Sequence, residues 1–238
     1  MDDLRVLSAC RSYVFRQDHI RLSVVTTPTV LNALQAAFAF QVAAVATPPA
    51  TYGPVENTAP PGAVFQNGQW QSEDGREHVA IRELYFESRR LVVSAAGPSP
   101  LLDGIMVQVR ATLEQFTAPD GTPILGPEIE VHDWSELSAV LKIDPQDLIA
   151  PAVRAAWRTA AKPKRSAAIV PSVDGQTVAL DSEYSGYPGN NPRLHWNLAL
   201  RQGTLAQERV FYSAAPLDTD GHIQYLRSLE KAIAAGQR

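Results

Sequence analysis

One arrangement occurs twice along the chain: a β-rich run ending in Ser-Ala-Ala, a proline-containing turn, an Asp-Gly step and an amphipathic stretch. The first copy passes from Leu91 through Ser94, Ala95, Ala96, Pro98, Asp103 and Gly104 into a helix expected over Ile105 to Phe116. The second passes from Arg209 through Ser213, Ala214, Ala215, Pro216, Asp220 and Gly221 into a helix expected over His222 to Ala234. A strand delivered to a helix through a fixed turn is one supersecondary unit, and its reuse predicts an approximate internal repeat. The spacing from Ser-Ala-Ala to Asp-Gly differs between the copies and alanine is common in the chain, so coincidence stands as the alternative to a true duplication.

With 238 residues, 45% of them hydrophobic and 19% charged, the chain can bury a core without staples. The 21 Lys and Arg against 25 Asp and Glu leave a formal charge of −4, so no global field draws it to nucleic acid or an anionic membrane. Cys10 is the only cysteine, which rules out an intramolecular disulfide and a cysteine-based zinc site and suits a reducing compartment. Its neighbours Val6, Leu7 and Val14 predict a buried, inert thiol. The acidic start Met1-Asp2-Asp3 does not read as a secretory signal. The most apolar window, Ala36 to Ala46, is far shorter than the ~20 residues a membrane span needs. The expectation is a soluble, cytoplasmic protein without a membrane partner.

Ile20, Leu22 and Val24 alternate with polar residues and predict a strand. Thr27-Pro28 then opens a helix carrying Val30, Leu31, Leu34 and Phe38, and Phe40 to Ala46 reads as a second strand. Thr47 to Gly62 holds five prolines and no apolar period, and reads as a stiff loop. Ala63 to Trp70, His78 to Phe86 and Arg90 to Ala95 form an expected antiparallel meander. In its middle strand the apolar parity flips near Arg82-Glu83, which predicts a bulge or strand switch there.

Asp133 with Glu136 resembles a capping box and predicts a helix, and Asp144-Pro145 with Asp147 predicts another running to Pro163. Beyond it, Val178 and Leu180, then Leu194, Trp196, Leu198 and Leu200, alternate as strands before the last helix. The expected fold class is α+β: antiparallel meanders covered by helices, with the approximate strand–turn–helix repeat. The expected division is 1–162 and 163–238, with a single sheet shared by both parts as the alternative.

Local catalytic signatures are missing. No Gly-x-Ser-x-Gly elbow surrounds Ser94 or Ser213, and no phosphate-cradling glycine loop opens a helix. His19, His78, His132, His195 and His222 never fall at spacings that would set two imidazoles on one face, so no metal and no cofactor is expected. His195 is placed opposite a core face, towards solvent. Two segments point to partner binding. Arg154, Arg158 and Lys162 align on one helical stripe that continues into Lys164 and Arg165, a pattern that helix-dipole complementarity also explains. The loop Tyr184 to Arg193 carries Tyr184, Tyr187, Asn190 and Arg193, side chains that anchor contacts or pack over a sheet edge.

The functional expectation is a non-enzymatic interaction or assembly module acting through a sheet edge, the proline-rich excursion and the tyrosine loop, in a homo-oligomer or larger complex. One alternative is a small-molecule-binding protein or a hydrolase with a non-standard site, built from Asp103 with Asp220, or from His195 with Asp181 or Glu183. The other is binding of nucleic acid or an acidic partner by the Arg154–Arg165 cations, ranked behind a protein partner.

Overall fold

The computed structural model describes residues 1–46, 62–144, 178–179 and 195–236. They confirm a mixed α+β class. The chain divides into two compact units, Leu7–Ser135, and Met1–Val6 with Glu136–Arg238. The expected boundary at 162/163 lies outside the described residues.

Within Leu7–Ser135, β1 (Asp2–Phe15) enters the unit at Leu7 and is followed by α1 (Leu22–Val25), α2 (Pro28–Ala37) and β2 (Val42–Ala46). Then come β3 (Gly62–Gln71), β4 (His78–Phe86), β5 (Arg90–Ala95), α3 (Leu101–Leu113) and the start of β6 (Glu128–Val140). The strands pair antiparallel in the order β2-β3-β4-β5-β1. The odd residues Ala9, Tyr13 and Phe15 of β1 face one core, where they meet Leu34 of α2 and Ile105 and Val109 of α3. Phe38, Phe40, Phe65 and Phe86 run through it with successive ring centroids 5.6, 5.3 and 6.2 Å apart.

The meander β3-β4-β5 forms as the alternation predicts, and the bulge falls where expected: Ile81 pairs with Ala95 but Glu83 with Ser94, leaving Arg82 as the extra residue. Opposite it, Asn67 of β3 adopts a positive φ of 56°, so β3 flips parity as well, burying Phe65 and then Trp70. Gly68 follows because a Cβ there would lie 2.4 Å from the Phe40 ring.

Two expectations fail here. Ile20–Val24 is not a strand: Ile20 makes one bridge to Leu125, and the chain then turns through α1, burying Leu22 and Val25 at helical spacing rather than Leu22 and Val24. Asp133 and Glu136 do not start a helix. They lie in β6, where Ser135 and then Leu137, Ser138 and Ala139 are buried, and the Asp133 carboxylate accepts from Arg11 instead of capping a backbone N–H.

The second unit contains the remainder of β6, the two-residue β7 (Val178–Ala179), β8 (His195–Leu200), β9 (Val210–Ala215) and α4 (Thr219–Gly236), with strand order β6-β9-β8-β7. Leu137, Leu141, Leu198, Phe211 and Leu226 form its core. In both units the Asp-Gly step lies inside the first turn of the helix, not ahead of it: α3 begins at Leu101 and α4 at Thr219. The helix expected from Asp144 lies outside the described residues.

Candidate functional site

β2 stands at the end of the strand order and, among the described residues, pairs only with β3. Its sequence, Val-Ala-Ala-Val-Ala, has no charge and no proline. Val42 is 40% and Val45 48% exposed, and because they differ in parity the strand shows apolar surface on both faces. Ala43 is packed against the core, opposite Phe65. The strand is nonetheless fixed: five consecutive residues pair with β3, Gln35 Nε2 donates to the Phe40 carbonyl at 3.0 Å, and Phe40 packs on Phe38 and Phe65.

Three polar groupings are the remaining candidates for chemistry. The first joins β9 to α4, where Ser213 Oγ and His222 Nε2 lie 2.8 Å apart with the two residues 1% and 0% exposed. A serine beside an imidazole is the beginning of a nucleophilic pair. Burial this complete leaves no room for a substrate carbonyl at Oγ, so the pair serves as a buried link between strand and helix. Nothing local in the sequence marks it, because it depends on how α4 folds back over β9.

The second is centred on Arg11 in β1, whose Nε donates to Asp133 Oδ1 at 2.7 Å and whose Nη1 donates to Asp103. Burial disfavours the guanidinium charge, but the hydrogen bond to Asp133 and the contact with Tyr13 outweigh it and hold the pKa above its ordinary value. Burial raises the Tyr13 phenol, and the neighbouring Arg11 opposes that only in part. Asp103 is thus an ion-pair partner of Arg11, its own side chain remaining largely exposed. Asp220, its proposed counterpart, is an exposed residue in the first turn of α4 and belongs to the other unit.

The third is an open depression between the end of β1 and the β4–β5 hairpin. It is lined by side chains that sequence reasoning did not single out, Arg89 foremost.

Of the residues expected to bind a partner, Tyr184, Tyr187, Asn190, Arg193, Arg154, Arg158, Lys162 and Arg165 all lie outside the described residues, as do Asp181 and Glu183. His195 lies in β8. Cys10 is half-buried opposite Ser94, more open than its apolar neighbours predict. Among the described residues no group of three or more His, Cys, Asp or Glu could hold a metal ion, and no helix is long and apolar enough to cross a membrane. No protein-family model matches the chain, and no curated protein matches it at a significant level.

Proposed function

We propose that this protein is a non-enzymatic interaction module that docks by strand addition at β2, with a second copy of itself as its first partner. The observation that carries the reading is an edge strand that, among the described residues, has none of the usual protection. Natural edges are blunted by lysine, proline, bulges or a covering element, because an open row of N–H and C=O groups recruits other strands. β2 has no charged residue and no proline, pairs on one side among the described residues, and exposes Val42 and Val45. The packed phenylalanines beneath it reduce the ordering that docking would require. The single cysteine suits a reducing, cytoplasmic setting.

The passages β5–α3 and β9–α4 are read as two copies of one ancestral unit. Each has a six-residue strand whose end is buried, a short proline-containing turn and a helix with Asp-Gly in its first turn.

The assembly reading is tested by light scattering across a concentration series on the wild-type chain and on the double variant Val42→Lys, Val45→Lys. Expected is a mass above that of the monomer for the wild type and a monomer for the variant, with circular dichroism spectra alike because both positions are exposed in the single chain and with the wild type alone showing a melting temperature that rises with concentration. A wild type that is monomeric throughout, or an oligomer indifferent to the two lysines, overturns it.

A further inference from the structure

The depression between β1 and the β4–β5 hairpin has a volume of about 520 Å³, within the size range of small-ligand sites. Ile20 and Leu22, each 4% exposed, give it an apolar base. Its polar lining comes from Gln17, Asp18, Arg21, Ser23, Ser88 and Arg89. Hydrogen-bond donors dominate this set: two guanidiniums, two hydroxyls and a carboxamide stand against one carboxylate.

Arg89 is the informative member. The hairpin's acidic residue, Glu87, is taken in a two-pronged contact by Arg90, whose Nη2 and Nε lie 2.8 and 3.0 Å from the carboxylate oxygens. Arg89 has no ion pair and no side-chain hydrogen bond among the described residues, and its Nε–H is shielded from solvent without an acceptor. A shielded, unsatisfied guanidinium N–H is costly, and an oxyanion is the ligand whose geometry matches that fork. Its backbone is held independently, since the Phe15 N–H donates to the Arg89 carbonyl at 2.8 Å.

Arg21 supplies a second cation whose position is set from the other side, by Asp120 Oδ2 at 3.1 Å and Thr122 Oγ1 at 3.2 Å. Asp120 takes up part of that charge, and Asp18 is the one anion on the wall. Asp18 holds a left-handed backbone, φ 64°, at the turn that leads into this wall.

We infer that this depression is a binding site for an oxyanion of the phosphate or carboxylate class, with Arg89 as its principal donor, Arg21 as the second cation, and Ser23 and Ser88 as hydroxyl donors. This site is independent of the β2 edge. The test is calorimetric titration of the full chain at low ionic strength with inorganic phosphate, with sodium acetate and sodium chloride as parallel arms. Expected is saturable binding of phosphate or acetate, the better ligand assigning the class, that weakens about tenfold in Arg89→Ala and is partly kept in Arg89→Lys. If Arg89→Ala does not fold, the double variant Ser23→Ala, Ser88→Ala should weaken binding in its place. Absence of saturable binding, binding unchanged in these variants, or chloride competing equally at the same concentration overturns the assignment.

Discussion

At the scale of single residues, the buried Ser213–His222 contact is the sharpest feature of the second unit. Removing the imidazole leaves a hydroxyl without that partner and a cavity beside it, whereas removing the hydroxyl takes away the same contact but leaves the volume nearly filled. His222→Ala is therefore expected to cost about 1–3 kcal/mol or more and Ser213→Ala less, measured by chemical denaturation. Glu230 makes a pH-dependent contribution in the same unit. Burial raises its carboxyl, but the hydrogen bond from the Met1 ammonium at 2.7 Å, the Lys142 backbone N–H and the charges of both prevail and hold it below its ordinary value. A folded-state value below the unfolded one stabilises at pH above the ordinary carboxylate range, and that gain is lost as pH falls through the depressed value. Glu230→Gln is expected to lower stability at neutral pH, with the difference from the wild type shrinking as pH falls through the depressed value, measured by denaturation across a pH series. Residue types alone foretold none of these partners. His222 and Glu230 read as ordinary helix positions because each meets its partner only across a tertiary contact.

Among the elements, legibility followed the source of the ordering. The meander β3-β4-β5 was readable, down to the bulge at Arg82, because alternation and turn residues are local signals that agree with the tertiary packing. β6 was not, since the Asp133/Glu136 spacing that suggests a cap is overridden by pairing within a sheet and by the demand of Arg11 for a carboxylate. The short strand expected at Ile20 failed for a similar reason: four residues fit a period of two about as well as one helical turn, and burial of Val25 decided between them. Asn67 gives a direct check on the paired irregularity in β3. A β-branched side chain tolerates its φ of 56° poorly, so Asn67→Val is expected to destabilise by about 1–2 kcal/mol while Asn67→Gly stays close to the wild type, by denaturant titration.

At the scale of the whole molecule, what matters is which strand ends the order among the described residues, and that cannot be read from any one segment. The run at Val42 looked like an ordinary strand in sequence. Its place at the end of the order is a property of the topology. The expected reliance on the tyrosine loop and the basic stripe is untouched by the described residues, so the account of function rests on β2. The most direct measurement is amide hydrogen exchange at residues 42–46, followed by mass spectrometry at low and high protein concentration. Strand addition predicts that exchange in this segment slows markedly as concentration rises, while β4, already flanked on both sides, does not change. Exchange at 42–46 that is fast and independent of concentration would contradict it.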